Sequence, residues 1–116
     1  MHELSIATSI VEIAQEESER IGSRVTAVHL KLGPLAGVEK DALLFSYGVA
    51  CQDTALEGST LVIEDMPLVA FCPHCEVERI IGSPQSLKCG ECGTATPKIV
   101  GGRELQLCGL EVDDDP

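Results

Sequence analysis

Two Cys-x-x-Cys pairs, separated by thirteen residues, limit what this chain can fold into more than any other feature. The pairs are Cys72-Pro-His-Cys75 and Cys89-Gly-Glu-Cys92. This spacing lets one tight turn direct two sulfurs at a single metal ion, about 2.3 Å away when the ion is zinc. Pro73, Gly90 and Gly93 favour such turns. The sequence therefore predicts a structural zinc site with four thiolate ligands, in a module that depends on the metal for its stability.

Other interpretations of the four cysteines stay open. Four sulfurs in a tetrahedron also suit iron, as in a rubredoxin-like electron carrier. A zinc ribbon can equally serve as a protein-interaction module without any further metal. A disulfide framework is disfavoured, because six cysteines without a basic and then apolar N-terminal leader predict a reducing cytoplasm. No apolar run approaches the ~20 residues of a membrane helix, so we expect no membrane partner.

Charge and length narrow the class of protein further. The chain has 116 residues, enough for one or two small domains, and its net charge is -11. Four thiolates around a divalent ion would make the chain still more negative. Nucleic-acid binding relies on cationic side chains that neutralise phosphates, so we expect no nucleic-acid partner. Only 3% of residues are aromatic, which predicts a core of Leu, Ile, Val and Ala.

Apolar periodicity predicts the order of the main elements. Spacing typical of helices covers residues 4–21 and 39–52, and strand-like segments cover 24–32, 59–64 and 103–112. This order predicts a small two-layer α/β (α+β) fold, with a three-stranded sheet covered by two helices. The domain would be discontinuous, formed by residues 1–65 and 103–116. A zinc-ribbon-like domain would be inserted at residues 66–102, with Gly101-Gly102 as a hinge.

The isolated cysteine side chains, and two of the three histidines, are not predicted to bind metal. Cys51 and Cys108 stand in apolar segments, so we expect both to be small buried hydrophobic residues. His29 is predicted on the polar face of a strand, and the His74 ring is predicted to point outward. No Ser/His/Asp set, phosphate-binding loop or carboxylate pair indicates catalysis, so the sequence predicts that the protein is not an enzyme.

The first residues, Met1-His2-Glu3, form a possible chelate for a second metal ion. The α-amine, the next backbone amide and the His2 imidazole can place three nitrogens in one plane around a metal. The Glu3 amide nitrogen can supply a fourth donor. Nitrogen donors in a square plane suit Ni(II) or Cu(II). From these residues alone, the alternative is a mobile N-terminus whose histidine binds no metal.

Three further stretches stand out beside the two cysteine pairs: Met1-His2-Glu3-Leu4-Ser5, Val28-His29-Leu30-Lys31-Leu32-Gly33 followed by Leu35-Ala36-Gly37-Val38, and Gly101-Gly102-Arg103-Glu104-Leu105 running into Leu110-Glu111-Val112. Taken together with the cysteine pairs, they resemble the HypA/HybF family, the nickel-insertion accessory proteins of [NiFe]-hydrogenase maturation. The resemblance extends over nearly the whole chain. It implies an α/β nickel-binding domain with an inserted zinc domain, in agreement with the predicted element order.

The resemblance also implies a function and partners. In the family, the Met1 amine, the first backbone amides and the His2 imidazole bind Ni(II). Members are nickel metallochaperones that work with a HypB-type GTPase and pass nickel toward the hydrogenase large subunit precursor, and some serve urease as well. A monomer and a weak homodimer are both compatible with the sequence. Two departures are Pro34, where relatives often have an acidic residue, and Glu76, which follows the first cysteine pair, so that the Cys-x-x-Cys-His variant of the zinc loop is absent.

Overall fold

The predicted order of helices and strands is confirmed. The structure, a computed structural model, describes residues 2–113. Its elements are α1 (Glu3–Ile21), β1 (Val25–Leu32), α2 (Lys40–Cys51), β2 (Thr60–Asp65), β3 (Leu68–Cys72), β4 (Val77–Ile81), β5 (Lys98–Gly101) and β6 (Leu105–Val112). The fold is mixed α/β, with two helices and two three-stranded sheets, as expected for an α/β domain with a zinc-ribbon-like insert. The three strands of the cysteine-rich region are additional to the predicted ones.

The described chain divides into two compact units. Lys31–Gly37 and Glu64–Gln106 form one, here called the cysteine unit, and the other described residues form the helical unit. The sheet with strand order β2-β1-β6 belongs mainly to the helical unit, whereas the sheet with order β4-β3-β5 lies in the cysteine unit. The boundaries inferred from the sequence, with an inserted domain at residues 66–102, stay a prediction.

Helix α1 ends at a glycine that the backbone requires. Gly22 has a φ of 75°, and its N–H donates to the Ser18 carbonyl at 2.9 Å. The buried face of the helix consists of Ala7, Ile10, Val11 and Ala14. Ile13, which helical spacing places beside this face, is 47% exposed. Two of these four buried residues are alanines, whose small side chains allow close packing along this face.

Helix α2 is capped at its N-terminus by the side chain of the preceding residue. The Glu39 carboxylate accepts hydrogen bonds from the Asp41 and Ala42 amides at 3.2 and 2.6 Å. A carboxylate at this position satisfies amides that have no acceptor within the helix and complements the positive end of the helix dipole. The buried residues of α2 are Leu43, Tyr47 and Cys51. The two helices contact each other within the helical unit.

The cysteine unit has a small apolar core. Leu68, Ala70 and Ile81 are its fully buried residues, and Leu35, Leu87 and Ile99 pack against them. The central strand β3 pairs antiparallel with β4 on one side and β5 on the other. A core of this size buries too little apolar surface to hold the unit's roughly fifty residues together. The cysteine cluster must therefore contribute to the stability of this unit.

The segment after β1 is fixed within the cysteine unit by backbone hydrogen bonds. The Gly33 N–H donates to the Glu104 carbonyl at 2.8 Å, and the Leu35 N–H donates to the Gly102 carbonyl at 2.7 Å. The Gly102 N–H in turn donates to the Glu104 carboxylate at 3.0 Å. Gly102 is buried and anchored by these hydrogen bonds, and the hinge at Gly101-Gly102 stays a prediction.

Gly33→Ala is expected to destabilise the cysteine unit by about 2 kcal/mol, because overpacking against backbone cannot relax easily. A Cβ at this position would overlap the carbonyl carbon and oxygen of Gly102. Thermal unfolding should show a midpoint lower by roughly 8 °C. Gly82→Ala in the same unit is the matched control, because a Cβ there meets open space. Equal midpoints for the two variants would contradict this account of the packing.

Among the described residues, the structure contains no helix with the length and apolar character needed to cross a membrane.

Candidate metal centres

The structure brings the four cysteines of the two pairs into one cluster. The sulfurs of Cys72, Cys75, Cys89 and Cys92 all lie within 4.8 Å of one another. The Cys72–Cys92 sulfur distance is 3.5 Å and the Cys75–Cys89 distance is 3.9 Å. A tetrahedral site with zinc–sulfur bonds of about 2.3 Å has sulfur–sulfur edges of about 3.8 Å. The arrangement therefore fits a zinc ion bound by four thiolates.

Two turns with the same backbone geometry carry the cysteines. In the turn between β3 and β4, the Glu76 N–H donates to the Cys72 carbonyl at 2.8 Å, and Glu76 has a φ of 56°. In the second turn, the Gly93 N–H donates to the Cys89 carbonyl at 2.9 Å, and Gly93 has a φ of 74°. The residue four positions after the first cysteine is left-handed in both. Gly93 was expected in such a role, whereas a glutamate rarely adopts this conformation.

Burial and hydrogen bonding differ among the four sulfurs. Cys72 and Cys89 are buried, Cys75 is half-buried and Cys92 is exposed. The backbone amides of Cys92 and Glu91 lower the pKa of the Cys89 thiol to about 6. The Thr94 hydroxyl and amide lower the pKa of Cys92. These donors stabilise negative charge on the second pair of sulfurs.

The pKa of the Cys75 thiol is raised, in contrast to those of Cys89 and Cys92. The Arg79 side chain acts to lower its pKa, but the neighbouring Cys92 sulfur and burial outweigh this effect and raise the pKa to about 11. Several sulfurs so close together cannot all carry negative charge unless a cation neutralises them. The cluster thus has the chemistry of a cation site, and its four sulfurs leave no open position for a substrate once a tetrahedral ion is bound.

Both cysteines outside the cluster, Cys51 and Cys108, were predicted to be buried, and only one of them is. Cys51 is buried in α2, as predicted. The prediction for Cys108 is wrong, because this residue is exposed on β6, which is an edge strand of its sheet. Neighbouring residues of a strand face opposite sides, so half-buried Leu107 leaves Cys108 on the solvent side. The Cys108 sulfur donates to the His29 carbonyl at 3.4 Å.

The two histidines outside the N-terminus lie at the surface. His74 is exposed in the first cysteine turn, as predicted. His29 is partly exposed, and its Nε2 lies 2.7 Å from an Oε of Glu111 on the neighbouring strand. This exposed pair joins β1 to β6, and pairs of this kind contribute little to stability.

His2 stands at the exposed start of α1. It is the residue that caps the helix, with φ -86° and ψ 107°, and its carbonyl accepts from the Ile6 N–H at 3.2 Å. Within the described residues its side chain makes no capping hydrogen bond. The following amide, that of Glu3, belongs to the first helical position and has no helical acceptor. Met1, the other predicted nickel-binding residue at this end, lies outside the described residues.

The Glu3 side chain ties the beginning of α1 to the beginning of α2. Its carboxylate accepts from the Glu39 N–H at 3.0 Å. This hydrogen bond is the main reason why the pKa of Glu3 is lowered, with a smaller contribution from its own amide. Sequence reasoning singled out Glu3 for its amide nitrogen and missed the side-chain contact, because no sequence signal relates residue 3 to residue 39.

The Glu39 amide is expected to report the ionisation of Glu3 in an NMR titration. The folded-state pKa is lower than the ordinary value of 4.5, so the hydrogen bond is complete above about pH 4.5 and is lost as the pH falls through the lowered pKa. The Glu39 amide proton should move upfield over that acidic range. In Glu3→Gln this titration should disappear, and an unchanged titration in that variant would contradict the contact.

The fold and the cysteine cluster together define the class of protein. A chain with two helices, two small sheets and four convergent thiols inside the second sheet's unit is a small α/β metal-binding protein. Its sequence matches the family described as "Hydrogenase/urease nickel incorporation, metallochaperone, hypA" over residues 1–112. The chain belongs to the HypA family, which confirms the resemblance seen in the sequence.

Individual relatives agree with this assignment. The chain is 48% identical over 116 residues to the "Hydrogenase maturation factor HypA" of Roseiflexus sp. (strain RS-1), covering 99% of this chain and 94% of the relative. It is 40% identical over 112 residues to the "Hydrogenase maturation factor HybF" of Klebsiella pneumoniae, covering 96% and 98%. These relatives are named as maturation factors, which agrees with the expectation that the chain has no catalytic site of its own.

Solved structures show the same fold at low sequence identity. A structure described as "Solution structure of HypA protein" has a TM-score of 0.73 to this chain, with 19% identity and coverage of 99% and 98%. The nickel metallochaperone HypA from Helicobacter pylori has a TM-score of 0.64, with 19% identity and coverage of 97% of each chain. Both similarities support the fold.

Proposed function

We propose that this chain binds Ni(II) at its N-terminus and helps to deliver it to the large subunit precursor of a [NiFe]-hydrogenase. Family membership supports this role, and the position of His2 is the observation that carries it. Its ring is exposed and has no structural task in the described part of the chain, and the amide after it has no helical backbone acceptor. Nickel can therefore take these donors without disturbing the helix.

The proposed nickel site uses nitrogens in one plane. The donors are the Met1 amine, the His2 amide and imidazole, and the Glu3 amide. A planar set suits Ni(II) and leaves both axial faces open, so that ligands from a partner can approach during transfer. The carboxylate of Glu3, held at the start of α2 beside Glu39, adds negative charge close to the site. This charge favours a divalent cation.

The cysteine cluster has a separate, structural role in this proposal. One zinc ion bound by the four thiolates would stabilise the cysteine unit, and no open coordination position would remain for catalysis. A reducing cytoplasm keeps thiols available as metal ligands, so we place the protein there. The partners that fit the family role are a HypB-type GTPase and the hydrogenase precursor, and urease is a further acceptor named in the family description.

Selectivity for nickel cannot come from these donors alone. Nitrogen ligands of this kind bind Cu(II) more tightly than Ni(II), in keeping with the Irving–Williams order. The preference for nickel must then arise from the low free copper of the cell and from docking with partner proteins.

Isothermal titration of the untagged chain with Ni(II), together with metal analysis of the purified protein, tests the proposal. We expect one zinc per chain on purification and one additional nickel site. One extra glycine before Met1 should abolish or strongly weaken nickel binding, because the primary amine would leave its chelating position. If the extended chain bound nickel as tightly as the native chain, the site would lie elsewhere. A red protein containing iron would replace zinc by a rubredoxin-like centre.

A further inference from the structure

The sheet of the cysteine unit has a second face, opposite its small apolar core. Directly paired residues share a face of a sheet, and so do alternate residues of one strand. The register therefore places Val69 and Phe71 of β3 on this second face, together with Ile80 of β4. Ile80 is 74% exposed, which is unusual for a side chain of this size. The second face, here called the outer face, consists of Val69, Phe71, Glu78, Ile80, Lys98 and Gly101.

Opposite charges stand at the two ends of one row of residues across the outer face. Phe71 pairs with Glu78 on β4 and with Lys98 on β5. Both charged residues are exposed. Because neighbouring strands lie about 4.8 Å apart, the row has a negative end, an aromatic centre and a positive end within about 10 Å. The chain as a whole has a net charge of -11, so this row is balanced on an otherwise acidic protein.

The neighbouring row has a large side chain at one end and none at the other. Val69 pairs with Ile80 on β4 and with Gly101 on β5. A Cβ at Gly101 would lie 3.5 Å from the Val69 Cβ and 3.5 Å from the Glu104 carboxylate. This carboxylate already accepts a hydrogen bond from the Gly102 N–H, so it requires no further partner here. The row therefore projects on the β4 side and is recessed on the β5 side.

Both rows are complementary to themselves under the same two-fold rotation. An axis parallel to β3, lying above the outer face, brings the β4 side of one copy over the β5 side of the other. Glu78 then faces Lys98 of the second copy, and the contact occurs twice. Ile80 likewise faces Gly101 of the second copy, while Phe71 lies near the axis against its own equivalent. An axis perpendicular to the strands would instead place Glu78 against Glu78, which like charges oppose.

We propose that the outer face of the cysteine unit binds a second copy of this chain in a weak, symmetric dimer. The two sheets would pack about 10 Å apart, with their mean strand directions within about 30° of each other. The outer face offers fewer residues than the roughly 20–30 that each partner contributes to a standard interface, so the dimer forms only at high protein concentration. This association goes beyond nickel delivery and requires no nickel. It also covers the open side of a unit whose apolar core is small.

Sedimentation velocity of the untagged full-length chain, over a series of concentrations, tests the proposal by exchanging charges. Glu78→Lys alone should raise the dissociation constant of the dimer about tenfold, because two like-charge contacts replace two ion pairs. Lys98→Glu alone should do the same. The double variant Glu78→Lys/Lys98→Glu should return to within about threefold of the wild type, since each contact again joins opposite charges. Only a surface that faces its own copy predicts this restoration.

The apolar row gives a second readout. Ile80→Ser should also weaken the dimer about tenfold or more, because the dimer buries this side chain twice. Phe45→Ser is the matched control, since Phe45 is 76% exposed but belongs to the helical unit. It should leave the dissociation constant unchanged. In the wild type, dilution should shift the amide signals of residues 69–71 and 78–80 in two-dimensional NMR spectra, whereas those of residues 43–49 should stay in place.

Two results would overturn the dimer. Wild-type protein that stays monomeric up to about 1 mM would do so, and the outer face would then be left to a different protein. Association that the single charge variants do not weaken, or that the double variant does not restore, would place the contact on another surface. If a charge variant did not fold, Ile80→Ser beside Phe45→Ser and the dilution of the wild type would decide in the same way. None of these measurements involves nickel, so failure of the dimer leaves the proposed nickel site unaffected.

Discussion

Cys72→Ala is expected to remove the bound zinc and to unfold the cysteine unit, while the helical unit keeps its structure. Cys72 is fully buried at the end of the central strand β3, so its loss affects both the metal site and the sheet. Structural zinc contributes about 10–16 kcal/mol to the folding of small modules. The apolar cluster of this unit is small, with Leu68, Ala70 and Ile81 as its buried members among the described residues, so it cannot replace that contribution.

Metal analysis and two-dimensional NMR measure this effect in the same sample. Zinc should fall from one per chain to near zero, and amide signals from residues 64–106 should collapse, whereas those of α1 and α2 should remain dispersed. Cys108→Ala is the control, because this exposed cysteine lies outside the cluster. Full zinc content in Cys72→Ala, with an unchanged melting curve, would show that the four cysteines do not form one metal site.

Periodicity was a good guide where an element has one clearly apolar face. The observed bounds of α1, Glu3–Ile21, and of β1, Val25–Leu32, differ from the predicted segments by one residue. In α1 the spacing of apolar residues and the terminating Gly22 agree with each other, so both ends could be placed. The cysteine pairs were equally informative, because a short loop with two thiols has few structural uses other than binding metal.

The strands of the cysteine unit could not be predicted in the same way. Strand β4 has only one fully buried residue, Ile81, and its outward positions include Val77 and Ile80. Alternation of apolar and polar residues is therefore absent. The strand follows the turn in which the Glu76 N–H donates to the Cys72 carbonyl, and it pairs antiparallel with β3. Tertiary context outweighs local propensity here.

Contacts between residues far apart in the chain could not be predicted from the sequence either. Gly33 is close to Gly102, and Glu3 reaches the amide of Glu39, although neither pair has a signal in the local pattern. The exposure of Cys108 was missed for a related reason. Its neighbours Leu107 and Leu110 suggest an apolar strand, but an edge strand buries one side and leaves the other to solvent. A pattern within one segment does not show which side the rest of the chain covers.

His2→Ala is expected to abolish nickel binding while zinc content and fold remain intact. The imidazole is the only side-chain donor in the proposed site, and without it the amine and amides cannot complete a stable chelate. The fold should not change, because the His2 ring is exposed and makes no capping hydrogen bond within the described chain. Isothermal titration should lose the nickel transition, and the yellow colour expected of a planar Ni(II) complex should be absent.

The pH dependence of nickel affinity and a variant at the next position make this test specific. Binding displaces protons from the amine, the imidazole and backbone amides. Affinity should therefore fall steeply as the pH is lowered in the wild type. Glu3→Ala should reduce affinity much less than His2→Ala, because the proposed Glu3 donor is a backbone nitrogen that alanine also has. The Glu3 carboxylate accepts a hydrogen bond from the Glu39 amide. A large loss of nickel affinity in Glu3→Ala would therefore show that this contact supports nickel binding. If nickel bound undiminished to His2→Ala, the donors would lie outside the N-terminus, and the proposed mode of delivery would be wrong.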